Sequence, residues 1–213
     1  MESLGRHTDY GSVALREEDF SGDPLVDFSR WLTEAESAGV YEPNAMVVSS
    51  IDPDGRPSAR TVLLKALDAE GFEFVTNYSS RKGKALLANP AVSLLFPWYG
   101  LNRQVIIDGI AAPTSHEASD EFFARRPRGA RIAALASDQS EPIASRSLLE
   151  ERVRDLEGLY PDSSPIERPE KWGGFRVIPD RIEFWQGRTS RLHDRIRFTT
   201  APTGAWTVER LQP

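Results

Sequence analysis

The chain has 213 residues, with 26 Lys and Arg against 32 Asp and Glu, a formal net charge of −6, 39% hydrophobic residues and no cysteine. That length suits a single domain with a self-sufficient core, and the absence of cysteine excludes disulfides, thiolate metal sites and a cysteine nucleophile. Net acidity argues against a surface built for nucleic acid or anionic membrane.

Residues 1–22 are polar and without a period, which reads as a mobile arm, and they hold no apolar run of the kind a secretory signal needs. The most apolar stretch, residues 91–101, is too short to span a bilayer and is broken by Pro97. The protein is therefore expected to be soluble and cytoplasmic. Leu25, Phe28, Trp31 and Leu32 fall at helical spacing after Asp23 and Pro24, and Gly39 supplies a stop, predicting an amphipathic helix over 25–38. The texture then turns to strand over 45–51, 57–67 and 72–77, with turns at 52–55 and 68–71, which is an antiparallel meander. A short helix over 81–88 stops at Asn89 and Pro90. Strands follow at 92–98 and 104–113, then a helical block at 115–125, 131–136 and 145–159. Beyond a Pro-rich loop come strands at 174–178, 181–186, 191–199 and 206–211. Hairpin-linked strands with helices inserted between sets predict α+β, mainly β, with an antiparallel sheet or barrel. Residues 23–213 read as one domain.

Three constellations carry chemistry. Arg60 to Lys65 is followed one hairpin later by Thr76, Asn77, Ser79, Ser80, Arg81 and Lys82, where a helix start and two cations suit an anion such as phosphate. A capped helix with solvated basic residues explains the same pattern equally well. In Arg191-Leu192-His193-Asp194-Arg195 a strand places Arg191, His193 and Arg195 on one face, with Arg197 extending the row. That row needs an anionic partner, or it is a charge-guarded strand edge. Trp172-Gly173-Gly174-Phe175 and Glu183-Phe184-Trp185-Gln186-Gly187 offer stacking and close backbone approach, or simply core packing. The three histidines, His7, His116 and His193, have no metal-ligand spacing, so no metal is expected. The residues alone lead to an anion-binding antiparallel protein.

Taken together and in this order, these segments resemble the pyridoxamine (pyridoxine) 5′-phosphate oxidase family. The match also rests on Ser93-Leu94-Leu95-Phe96-Pro97-Trp98, Arg103-Gln104, Arg126-Pro127-Arg128, Gln139-Ser140 and the terminal Arg210-Leu211-Gln212-Pro213. The resemblance implies an FMN-binding split β-barrel of Greek-key type flanked by helices, working as a homodimer with FMN at the subunit interface. It implies FMN contacts from Arg60, Thr61, Val62, Leu63, Leu64, Lys65, Val75, Thr76, Arg81, Lys82, Gln104, Gln139, Ser140, Trp185 and Arg195, several of them from the second subunit. Lys65 and Arg126 match the family's substrate-phosphate residues. Leu192 belongs to the substrate site, and Arg191 and His193 match the catalytic pair over the substrate ring. The implied reaction is oxidation of pyridoxine or pyridoxamine 5′-phosphate by O₂ to pyridoxal 5′-phosphate and hydrogen peroxide.

The chain departs from the family pattern at Phe122 and Ala130, where a tyrosine and a serine usually hold the substrate phosphate. It departs again at His7-Thr8-Asp9-Tyr10, where an Arg-Arg-Glu-Tyr lid is common. The alternatives are a sister FMN oxidase acting on a dihydrophenazine carboxylate and a non-catalytic flavin-binding protein. Lys65 and the Phe96-Pro97-Trp98 run favour the vitamin B6 enzyme over the first, and the retained Arg191 and His193 argue against the second.

Overall fold

The computed structural model describes residues 2–5, 8–162 and 164–213. Helix α1 (Pro24–Ser37) is followed by β1 (Ala45–Ile51), β2 (Pro57–Asp68), β3 (Gly71–Asn77), α2 (Arg81–Ala88), β4 (Ala91–Trp98) and β5 (Arg103–Pro113). The chain continues through α3 (His116–Ala124), α4 (Arg128–Ala136), α5 (Arg146–Leu159), β6 (Trp172–Gln186), β7 (Asp194–Thr200) and β8 (Trp206–Leu211). All strand pairs are antiparallel in the order β3-β2-β1-β4-β5-β6-β7-β8, and a further β3 to β6 pairing closes β1 to β6 into a six-stranded barrel.

β6 makes the split. Its first half, from Trp172 to Val177, pairs with β3, while Arg181 to Gln186 leaves the barrel seam and pairs with β7. The change of partner falls at a bulge opposite Asp108 and Gly109. At Gly109 an added Cβ would lie 2.2 Å from the Ile178 carbonyl oxygen, so only glycine admits that crossing. The strands expected at 174–178 and 181–186 are thus one bent strand, because pairing with β5 runs through Pro179 and resumes at Arg181 with only Asp180 bulged out between them.

Alternation along β1, β4 and β5 buries Met46, Val48, Leu94, Phe96, Val105 and Ile107 inside the barrel. Helix α1 plugs one end: Phe28 meets Phe72 and Phe96 at 4.9 and 4.8 Å, and Trp31 meets Phe184 at 5.0 Å. Asp23 caps this helix by accepting from the Leu25 amide, with Pro24 in its first turn. Part of the N-terminal segment lies along the sheet, where Leu15 is buried and the Phe20 ring sits 4.9 Å from Phe184. A second apolar cluster of Phe123, Ile132, Ile166 and Trp172 joins α3 and α4 to the start of β6. The cleft described below lies where this cluster meets β2 and β3.

The strand expected at 191–199 begins at Asp194 instead. Residues Thr189–Arg191 form a 3-10 turn, with Ser190 and Arg191 at φ 56° and 61°. The left-handed backbone turns Arg191 out of the strand, so Arg191, His193 and Arg195 do not form one alternating row.

Candidate active site

A cleft of about 580 Å³ is lined by β2, β3, α4 and the loop after it. β2 presents Thr61, Val62, Leu63 and Lys65, and β3 presents Val75, Thr76 and Asn77. Leu64 is buried on the barrel side, as strand alternation requires. Helix α4 turns Ala130, Ala133, Ala134 and Ser137 to the cleft at helical spacing, and these small side chains leave room for a flat ligand. Neither Asp nor Glu lines it.

The cations are held in an unusual way. Lys82 donates to Thr76 Oγ1 at 3.1 Å and to Gln139 Oε1 at 2.9 Å, both neutral oxygens. Burial pushes its ammonium below the usual lysine range, and the nearby Arg60 cation adds to the shift. Arg126 lies over the Trp172 ring at 4.8 Å, and burial lowers its guanidinium pKa. Among the described residues, Lys65, Lys82 and Arg126 have no carboxylate within salt-bridge distance. Three cations facing an acid-free cleft suit a ligand carrying more than one negative charge.

Arg60 stands beside this group, with its guanidinium donating to Val48 O at 3.1 Å and to the hydroxyls of Ser50 and Ser58 at 2.9 and 2.6 Å. Burial lowers its pKa, with Asp52 opposing the effect. Arg81 is turned away to Asp52, at 2.5 Å. Ser80 caps α2 by accepting from the Gly83 amide, so capping and the anion cleft coexist at adjacent residues. Ser140 sits exposed in the loop after α4 at φ 74°. Phe122 packs into the second apolar cluster and does not line the cleft, whereas Ala130 does. The glycines beside Trp172 serve packing within the chain: a Cβ at Gly173 would lie 2.2 Å from the Tyr78 hydroxyl.

The remaining expected residues gather elsewhere. Gln104, Trp185 and Arg195 face one another in register across β5, β6 and β7. Arg195 is paired with Glu183 at 2.7 and 3.0 Å. His193 stacks 4.7 Å from Trp185 and 5.5 Å from Tyr10, and Arg191 lies over the Tyr10 ring at 5.6 Å. Leu192 between them is exposed. His7 lies outside the described residues, while Asp9 accepts from the Gly11 amide. Trp172 at the cleft and Trp185 in this second group stand at opposite ends of β6, separated by roughly 40 Å of strand. One copy of the chain therefore does not bring the two groups together.

Sequence reasoning missed Ala133, Ala134 and Ser137 as cleft walls, although their small size at helical spacing was a readable signal. It also missed Tyr10 and Asp194, which depend on contacts between the two ends of the chain. No helix among the described residues is long and apolar enough to cross a membrane, and no group of three or more potential metal ligands occurs among them.

Residues 32–160 match the family described as pyridoxamine 5′-phosphate oxidase, and residues 172–213 match its relative described as the pyridoxine 5′-phosphate oxidase C-terminal dimerisation region. A pyridoxine/pyridoxamine 5′-phosphate oxidase of Rubrobacter xylanophilus is 52% identical over 209 residues, covering 98% of this chain and 95% of that protein. One from Streptomyces avermitilis is 48% identical, covering 96% and 93%. Among solved structures, PhzG from Burkholderia lata 383, in complex with tetrahydrophenazine-1-carboxylic acid, superposes with a TM-score of 0.88 at 30% identity, covering 96% of this chain and all of that one. A pyridoxamine 5′-phosphate oxidase-related, FMN-binding protein from Nostoc punctiforme shares the fold, with a TM-score of 0.71 at 16% identity over 91% of this chain and all of that one.

Proposed function

The chain belongs to the pyridoxine/pyridoxamine 5′-phosphate oxidase family, and on that premise we propose that it oxidises pyridoxine or pyridoxamine 5′-phosphate with FMN as cofactor and O₂ as acceptor. The observation that carries the site assignment is the convergence of Lys65, Lys82 and Arg126 on a cleft without a carboxylate. Cofactor and substrate each bring a phosphate, and each dianion calls for charge-assisted donors.

The donor set fits FMN. Lys82, oriented by Thr76 and Gln139, and Arg60 beside it would hold the cofactor phosphate, and burial holds both cations below their ordinary pKa values, a cost that a bound dianion would offset. Arg81 and Ser140 stand at the edge of this phosphate site. Residues Thr61, Val62 and Leu63 offer a strand edge and half-buried surface for the ring system, with Leu64 supporting it from the barrel side. When bound, FMN supplies two-electron acceptance from the substrate and return of those electrons to O₂.

Lys65 and Arg126 grip the substrate phosphate from β2 and from the loop between α3 and α4. The Trp172 face fixes the Arg126 plane, which leaves its N–H groups free to donate. Arg191 and His193 orient the substrate ring. Arg191 places a cation where it can orient the substrate's hydroxyl oxygen or amine nitrogen and stabilise negative charge that develops there. The apolar walls of α4 and Val75 limit water around the reacting carbon.

The working unit is a homodimer. The half-buried outer row Val47, Leu95 and Ile106 links Thr61 at the cleft to Glu183 beside the Trp185 group. A second copy laid on this row by a two-fold axis unites one chain's cleft with the other chain's Gln104, Trp185, Arg191, His193 and Arg195. The match to a dimerisation region at 172–213 supports a homodimer.

The test is aerobic turnover of pyridoxine 5′-phosphate by FMN-loaded protein, following pyridoxal 5′-phosphate and peroxide together. Likeness to the phenazine-bound structure makes a dihydrophenazine carboxylate the competing substrate. Turnover of that compound alone sinks the vitamin B6 reading, and a bound flavin that neither substrate bleaches favours a binding protein.

A further inference from the structure

The turn between β6 and β7 carries Arg191 and His193, and its own contacts determine how the imidazole is held. The backbone amide of Arg188 donates to His193 Nδ1 at 3.0 Å. A ring nitrogen that accepts a hydrogen bond carries no proton, so the uncharged ring keeps its proton on Nε2. The guanidinium of Arg188 donates in turn to Asp194 Oδ2 at 3.0 Å. Arg188 thus grips the ring with its main chain and is itself gripped through its side chain.

Asp194 is a fixed point for that grip. It is 8% exposed, and it also accepts from the Leu15 amide at 3.0 Å and from Arg210 Nη1 at 2.6 Å. The turn has backbone restraints as well, beginning with Gly187, whose amide donates to Asn102 O at 2.7 Å and whose carbonyl accepts from Gln186 Nε2 at 3.5 Å. Thr189 donates its amide to Gly11 O at 3.0 Å, Leu192 donates to Thr189 O at 3.1 Å, and Ser190 and Arg191 both hold left-handed backbone. The tie to Asp194 adds to these backbone bonds the one restraint that comes through the Arg188 side chain.

The geometry points to Arg188 and Asp194 as a positioning pair that fixes His193 as its Nε2–H tautomer beside Arg191. The ring then offers a hydrogen-bond donor in one direction and has no free nitrogen to accept a proton. Protonation of Nδ1 would set two N–H groups against each other. Around His193 stand Trp185 from β6, Tyr10 from the N-terminal segment and Arg191 from its own turn, with no carboxylate in contact with the ring. Around Asp194 stand Arg188, Arg210 from β8 and the Leu15 amide. Burial and the Arg191 cation push the His193 pKa in the same direction, below its ordinary value. The consequence for substrate orientation rests on the function proposed above, whereas the tautomer does not.

The chain contains three histidines, so ¹⁵N-histidine NMR of the full-length FMN-loaded protein resolves them readily. His193 is expected to show the Nε2–H tautomer in the unaltered protein and a mixture of tautomers in Arg188→Met and in Asp194→Asn. Arg188→Lys restores the single tautomer. Each of the two disrupting variants raises KM for pyridoxine 5′-phosphate about 3- to 10-fold with a smaller change in kcat, and the double variant adds little, because the two residues act as one unit. If Asp194→Asn does not fold, Arg188→Met, whose altered side chain is partly exposed, decides the matter. A His193 carrying its proton on Nδ1, or signals unchanged in the variants, overturns the pairing. A tautomer that behaves as expected in a protein without turnover of pyridoxine 5′-phosphate upholds the pairing and refutes the reaction.

Discussion

Trp172 and Trp185 stand at opposite ends of one strand, the first under the Arg126 guanidinium at 4.8 Å and the second against the His193 ring at 4.7 Å. β6 therefore joins two half-sites in one chain and holds them apart. The bulge opposite Gly109 gives the strand both roles, by handing it from the barrel seam to β7.

Replacing Lys82 by methionine removes the cation that Thr76 and Gln139 orient into the cleft. A hydrogen bond to a charged group is worth ~1.5–3 kcal/mol, so FMN should bind roughly 10- to 150-fold more weakly. Titration of apoprotein with FMN, followed by quenching of flavin fluorescence, measures this directly. Affinity equal to that of the unaltered protein would remove Lys82 from the phosphate site.

Arg126→Met keeps a long side chain over Trp172 and deletes the charge. It should raise KM for pyridoxine 5′-phosphate about 10-fold or more while the purified protein keeps its flavin, because the two phosphates use different cations. Loss of flavin instead would reassign Arg126 to the cofactor.

Phe28 plugs the barrel and is fully buried against Phe72, Phe96 and Trp98. Phe28→Ala leaves a cavity and should destabilise the protein by ~3–5 kcal/mol. Denaturant unfolding is the check, and a loss under 1 kcal/mol would mean that α1 does not close the barrel.

The barrel strands were legible because β1, β4 and β5 alternate cleanly, and the helix starts at Ser80, Ser115 and Ser145 because each serine caps its helix. Thr61, Val62, Leu63, Lys65, Thr76, Lys82 and Arg126 were legible as site residues through resemblance, and they do meet in one cleft, whereas Leu64 points into the barrel. Arg191 was misplaced onto a strand because no glycine marks the left-handed pair Ser190 and Arg191. The seat of the N-terminal segment was hidden for another reason. Its apolar contacts are few, and its ties to Asp194 and Arg210 join opposite ends of the chain.

Asp194 also gives the stability a pH dependence. Burial pushes its carboxyl up, but the Leu15 amide, Arg188 and Arg210 outweigh burial and hold it below the ordinary carboxylate range. A depressed folded pKa means that the stabilisation is complete above the unfolded value, ~3.9, and is lost as pH falls through the folded value. Asp194→Asn should accordingly flatten the acid limb of a plot of Tm against pH. An acid limb of unchanged steepness would show that Asp194 does not titrate with unfolding.

Subunit complementation tests the composite oxidase site most directly. Arg126→Met weakens substrate binding in the cleft and Arg191→Met disables the opposite half-site, so each variant alone should have little activity on pyridoxine 5′-phosphate supplied well below the KM of the unaltered protein. Dissociated and reassembled together, half of the dimers are mixed, and each mixed dimer holds one site with both halves intact. About a quarter of the unaltered activity should return. A mixture no more active than its two components would contradict a site shared between two copies of the chain.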